Sequence, residues 1–219
     1  MRMHSFTRAP TVAAALILAS LLVACGQSSA QAPKTAASAS EIPANSAVAV
    51  FAGGCFWCTE SDFDKVPGVL ETTSGYIGGN VDNPTYEQVS TGTTGHIEAV
   101  QVRYDASKTS YAKLLEAYWP TIDPITANAQ FCDHGPQYRS AIFYANAEEQ
   151  AQAEASKAAL QASGRFKRDI VTEILPMTTF YPAEDYHQDY YQRNPLRYAY
   201  YRNGCGRDAR LERLWGKKP

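Results

Sequence analysis

The chain has 219 residues, a formal net charge of −2 and 45% hydrophobic residues, which suits one globular domain with a real core. The near-neutral balance gives no electrostatic case for nucleic acid, and no long internal repeat points to a solenoid.

Arg2 and Arg8 lead into Val12 to Ala24, an uninterrupted run of small and apolar residues. That is the n-region and h-region of an export signal, too short for a comfortable membrane span. It ends in Leu22-Val23-Ala24-Cys25, which resembles a bacterial lipoprotein box. Residues 1–24 are therefore read as a lipoprotein-type signal peptide. Residues 25–46 are read as a lipidated Cys25 followed by a tether rich in Ala, Ser, Gln and Pro. Several acyl chains would anchor such a protein stably. The absence of Asp at Gly26 favours the outer membrane in a double-membraned cell. Residues 47–219 form the remaining domain.

In the domain, Val48 to Ala52 reads as a strand and Thr59 to Val66 as a helix. Between them, Gly53-Gly54-Cys55-Phe56-Trp57-Cys58 puts a thiol at a strand-to-helix turn. A helix N-terminus favours thiolate, and the glycines leave the sulfur open. Phe56 and Trp57 could wall an apolar cup beside it. After the Pro67-Gly68 turn, Val69 to Tyr76 reads as a strand, and Tyr86 to Val89 as a short helix at most. Glu98 to Tyr104 alternates, with Val100, Val102 and Tyr104 on one face. Glu98 shares that face, where burial would keep its carboxyl protonated near neutrality. Tyr111, Leu114, Leu115 and Tyr118 mark an amphipathic helix ended by Pro120.

Thr121 to Pro136 reads as a long functional loop, and Gln137 to Tyr144 as a strand. Asn146 caps a helix with Glu149 at the capping-box position and Gly164 as its stop. Ile170 to Leu175 reads as a strand, Tyr186 to Gln192 as helical and Asp208 to Trp215 as a last short helix. Helices and strands mix without strict alternation, which indicates an α+β fold.

Cys55-x-x-Cys58 by itself also suits a thioredoxin-like thiol oxidoreductase. A zinc module on Cys55, Cys58, Cys132 and either His134 or Cys205 fits poorly, because Cys132-x-His134 is too tight. His96, His134 and His187 lack ligand spacing and read as structural or exposed.

GCFW followed by Glu60, together with SGYIGG (74–79), PTYEQV (84–89), GTTGHIEAV (92–100), DHGPQYRSAIF (133–143) and AEDYHQDY (183–190), resembles the type A peptide methionine sulfoxide reductases, in their order. The resemblance implies a two-layer sandwich with a ferredoxin-like core, its mixed sheet flanked by helices. It implies reduction of methionine S-sulfoxide, protein-bound or free, with Cys55 as nucleophile and Glu98 as acid. Tyr86 and Tyr138 would bind the sulfoxide oxygen, and Asp133 would orient a water or the substrate backbone. Phe56 and Trp57 would hold the methyl group. Cys55 would become a sulfenic acid, which a second thiol converts to a disulfide; methionine sulfoxide repair by this type of enzyme is a known branch of sulfur redox chemistry. A thioredoxin-like dithiol would reset the disulfide, with no metal or other cofactor. The enzyme would act as a monomer repairing oxidised exported proteins.

The chain departs from the commoner pattern at Cys58, at Ile122-Asp123-Pro124, at Phe131-Cys132 and in its tail, NGCGRDARLERLWG. The resolving thiol therefore stays open among Cys205, Cys58 and Cys132. Cys205 is favoured, because glycines flank it in a stretch read as mobile; Cys58 comes second.

Overall fold

A computed structural model describes residues 44–216. The signal peptide, Cys25 and most of the tether lie outside them. No helix among the described residues is long and apolar enough to cross a membrane.

The frame is a split βαβ unit followed by a second one. Strand β1 (Ser46–Gly53) leads through helix α1 (Phe56–Phe63) to β2 (Val69–Ile77). A short helix α2 (Tyr86–Ser90) precedes β3 (Ile97–Asp105), which fits between β1 and β2. Helix α3 (Tyr111–Tyr118) follows, and a loop carries the two-residue strands β4 (Ala129–Gln130) and β5 (Asp133–His134). Then come β6 (Ser140–Tyr144), α4 (Ala147–Ala162), β7 (Glu173–Pro176) and β8 (Tyr181–Pro182). Helices α5 (Tyr190–Arg193), α6 (Pro195–Gly204) and α7 (Arg207–Trp215) complete the chain. The main sheet runs β7-β6-β1-β3-β2-β8, and its central order β6-β1-β3-β2 is ferredoxin-like. The β6–β7 pair is parallel and the other pairs are antiparallel, so the sheet is mixed.

Strand alternation decides the core. Ala49 and Phe51 of β1, with Val100, Val102 and Tyr104 of β3, pack on the helices. From those helices come Phe56 and Phe63 of α1 and Tyr111, Leu114, Leu115 and Tyr118 of α3. Val50, Ala52, Ile97 and Ala99 face the other way, under Leu175, Met177 and Phe180. With both faces covered, β1 reads as a continuous apolar run.

Several boundaries differ from the sequence reading. Helix α1 begins three residues early because Cys55 acts as its N-cap: the Cys55 carbonyl accepts from the N–H of Cys58 and Thr59, at 3.1 and 3.3 Å. The strand expected from Gln137 starts at Ser140, because Pro136–Tyr138 forms a 3-10 turn. Residues 170–172 leave the sheet; Val171 N–H donates to Pro124 O and Ile170 N–H to the Gln161 side chain. Tyr186 to Gln192 is mostly turn, with left-handed Asp189 delaying α5. Helix α6 was not anticipated, and it absorbs Asn203 and Gly204, so the stretch before Cys205 is helical rather than a loose linker. At α4, Asn146 caps Glu149 N–H as foreseen, whereas the Glu149 carboxylate returns to Ala145 N–H instead of the cap residue.

Candidate active site

The site forms where β1 ends and α1 begins. Gly54 has φ +83°, and a Cβ there would lie 2.4 Å from Gln130 Cβ, so this sharp turn requires glycine. Cys55 follows, 7% exposed, at the floor of a cavity of about 60 Å³. Phe56, Trp57, Tyr86, Glu98, Asp133 and Tyr138 line the same cavity, together with Tyr201.

Glu98 stands at the start of β3, in phase with Val100 and Val102, and is 2% exposed. Phe56 N–H donates to its carboxylate at 3.0 Å. Burial pushes its pKa up to about 8; the Phe56 N–H pulls the other way, and negative charge at Asp133 and Cys58 adds to the rise. The acid is thus protonated at neutral pH. Tyr86 is pushed up to about 12 and Tyr138 higher still, both chiefly by burial, so both phenols remain donors.

The Cys55 thiol departs from the expectation of a helix-stabilised thiolate. Burial and the neighbouring Cys58, Glu98 and Asp133 push its pKa up. The reason is local: the N–H groups of Phe56, Cys58 and Thr59 are already engaged, with Glu98 or with the Cys55 carbonyl. Cys58 stands one turn on, and its pKa is lowered to about 7. Interaction with the Cys55 thiol is the main cause, and the guanidinium charges of Arg207 and Arg202 assist it. The pair therefore holds its negative charge on Cys58, away from the acidic side of the cavity.

Trp57 is fixed from three sides. Its indole N–H donates to His187 Nδ1 at 3.0 Å, its ring stacks on Tyr190 at 3.7 Å, and Tyr201 meets it edge-on. Burial lowers the His187 pKa and keeps the ring neutral, so it can accept that bond. His96 is also structural, taking Gly79 N–H and contacting Val81 O, and His134 is exposed.

Tyr201 donates to Asp133 and lines the cavity together with Cys55. Its place in YAYYRNGC offered no signal, being one aromatic among several without a period. Glu184 within AEDYHQDY carries no sequence signal of its own either; it accepts from Tyr76 OH and from Tyr86 N–H, and so positions α2.

Cys205 is not a free thiol poised to swing: it is bonded to Cys132. Cys55 and Cys58 are the free cysteines of the described residues. The grouping of possible metal ligands found among those residues is Cys132, Asp133 and Cys205, not the Cys55–Cys58 set weighed for zinc.

A free thiol backed by a second one, with a protonated carboxylic acid and three phenols facing two aromatic rings around a small cavity, defines a thiol-based reductase site. The family model for peptide methionine sulfoxide reductase matches residues 47–219. Peptide methionine sulfoxide reductase MsrA of Halalkalibacterium halodurans is 56% identical over 169 residues, covering 77% of this chain and 96% of that protein. The MsrA 2 protein of Caulobacter vibrioides is 53% identical over 169 residues, covering 77% and 85%. Among solved structures, methionine sulfoxide reductase A of Corynebacterium diphtheriae aligns with a TM-score of 0.62 and 35% identity, covering 70% of this chain and 77% of its own. Mxr1 of Saccharomyces cerevisiae in reduced form aligns with a TM-score of 0.66 and 31% identity, covering 70% and 88%. The chain belongs to the peptide methionine sulfoxide reductase family.

Proposed function

We propose that this chain reduces methionine S-sulfoxide, free or in proteins, with Cys55 as nucleophile and Cys58 as the thiol that resolves it. The observation that carries the reading is the convergence of Cys55, Glu98, Tyr86, Tyr138, Asp133, Phe56 and Trp57 on one cavity. Its volume of about 60 Å³ corresponds to about two waters at their liquid volume of roughly 30 Å³ each. It admits the methyl-sulfinyl end of a side chain and leaves the rest outside, which suits exposed oxidised methionines and the free amino acid alike. Phe56 and Trp57 receive the methyl group, and Tyr86, Tyr138 and Glu98 receive the oxygen. An apolar wall facing polar donors distinguishes the two epimers at sulfur; the family resemblance selects the S form.

As Cys55 sulfur attacks the sulfoxide sulfur, its proton passes to the Cys58 thiolate. Glu98 gives its proton to the oxygen; the hydroxyl then passes from the substrate sulfur to the Cys55 sulfur as the bond between the two sulfurs breaks, and methionine leaves. Cys55 is then a sulfenic acid, Cys58 a thiol and Glu98 a carboxylate, so protons and charge balance. Cys58 next attacks the Cys55 sulfur and water departs, leaving a Cys55–Cys58 disulfide. A dithiol reductant of thioredoxin type restores both thiols by exchange and takes up the disulfide. The choice of Cys58 over Cys205 is supported by its place one turn from Cys55 as the other free thiol of the described residues and by the engagement of Cys205 with Cys132. Residues 1–46 are read as leader, lipidated Cys25 and tether, which would place the enzyme at the cell envelope; the support is the Leu22-Val23-Ala24-Cys25 sequence and a family match that begins at residue 47.

Assay of the two separated epimers of a methionine sulfoxide peptide, with and without Cys55→Ser, tests this reading. Methionine should form from the S epimer alone and vanish in the variant, since a protonated serine hydroxyl is a poor nucleophile. Turnover by the variant, or equal use of both epimers, would refute it.

A further inference from the structure

Three consecutive loop residues each meet the C-terminal helices. The Arg207 guanidinium lies 4.4 Å from the centre of the Phe131 ring. Cys132 is joined to Cys205. Asp133 accepts the hydrogen bond of the Tyr201 phenol. Tyr201 and Cys205 stand one turn apart, linked by Cys205 N–H to Tyr201 O at 2.8 Å. The disulfide and the Asp133–Tyr201 bond therefore run side by side between the same two segments.

One end of this seam enters the cavity and the other lies behind it. Tyr201 and Asp133 line the cavity. Arg207, 1% exposed, donates to Gly53 O at 3.1 Å and Thr121 O at 2.7 Å, behind the turn that carries Cys55. Helix α6 has no fully buried residue to seat it. It is held against α1 by the Arg202–Asp62 ion pair at 3.2 Å and by the Tyr201 ring on Trp57, and against the loop by the Asp133–Tyr201 hydrogen bond and the one covalent rung. The exposed Cys132 side chain shows that this rung does not serve to fill the core.

We propose that the Cys132–Cys205 disulfide is a positioning latch for the sulfoxide step. It keeps Tyr201 and Asp133 in the cavity and retains its S–S bond through the cycle, while Cys55 and Cys58 supply the two electrons for each sulfoxide. Cys132 and Cys205 are positioning residues that act through Asp133 and Tyr201. The inference rests on the reductase reading above and on Cys58 as the resolving thiol.

The test is a reductant-free burst with a methionine S-sulfoxide peptide at graded concentrations. The full chain is compared with its Cys132→Ser/Cys205→Ser variant, Cys55 and Cys58 being reduced in both. Each should release one methionine per protein. The variant should show a raised half-saturating concentration and a slower limiting rate, together a loss of about tenfold, the scale of one well-placed hydrogen bond to a charged group. Tyr201→Phe should show a similar loss, and the triple variant no more than either, because both changes remove the same placement. An unchanged burst with lost turnover on a protein dithiol would make the pair a recycling disulfide and overturn the proposal. Additive losses would make it a general staple and overturn it equally. If the serine variant fails to fold, the parent reduced at all four thiols serves instead. A slowed burst of one methionine supports the latch; two methionines at the undiminished rate overturn it. A parent that forms no methionine in any state would refute the reductase reading itself.

Discussion

Glu98 sits where a carboxylate is costly to ionise, and that gives it chemistry. Its pKa rises from the ordinary 4.5 to about 8, mainly through burial. The protonated form is the one that can supply a proton to the sulfoxide oxygen. The rate of the sulfoxide step should therefore hold up to about pH 8 and fall above it. Charge on the thiol pair develops near Cys58, at about 7, so the rate should rise through that value from the acid side. These two limbs belong to coupled groups and give a narrow bell in single-turnover rates. Glu98→Gln should lower the rate by about 10²–10⁴ and remove the alkaline limb. A profile with the same alkaline limb in the variant would transfer the proton-donor role to another group. The phase of Glu98 with Val100 and Val102 was readable from alternation alone. The inverted charge of the cysteine pair was not, because it depends on which backbone N–H groups are already engaged and on arginines more than 140 positions away in the chain.

At the scale of elements, the turn from β1 into α1 carries the most weight. Gly54 is left-handed, and Gln130 packs against the space where its side chain would be. Gly54→Ala should cost on the order of 1–3 kcal/mol from backbone conformation alone, before the clash is counted. Thermal or chemical denaturation would measure it, and an alanine variant as stable as the parent would show that the turn can relax. Periodicity announced α3, which buries one face, and the later half of β3, where half-buried Gln101 and Arg103 alternate with buried Val100, Val102 and Tyr104. It missed α6, whose sequence mixes tyrosines with polar residues and has no fully buried position. It placed α1 late because that helix is buried nearly all round, including Thr59, Glu60, Ser61 and Asp62, which erases the polar face a helix is recognised by.

For the whole molecule, the buried acids make stability depend on pH. Glu60 is 0% exposed, with the Asp189 N–H and the Ser74 hydroxyl beside it but no well-formed hydrogen bond, and its pKa is raised by burial to about 7. Glu98 adds the same effect up to about 8. Below the unfolded value of 4.5 both states are protonated and the carboxyls make no difference. Above it the unfolded chain ionises first, so stability falls as pH rises until the folded groups ionise as well. Glu60→Gln should raise the melting temperature at pH 8 by a few degrees, for a gain on the order of 1–3 kcal/mol, and the gain should shrink toward pH 4. An advantage that stays constant with pH would show that ionisation of Glu60 is not its source.

The sequence by itself determined the local facts: the glycine turn before Cys55, the alternation that buries Glu98, the cap at Asn146 and the family motifs around Tyr86, Asp133 and Tyr138. These depend on neighbours within a few positions and survive reading in one dimension. The tertiary structure decided what depends on partners far apart in the chain. It joined Cys205 to Cys132, brought Tyr201 to Asp133 and seated His187 under Trp57. No spacing rule predicts such meetings, because the partners lie 68 to 130 positions apart and meet only when the C-terminal segment settles on α1 and on the loop.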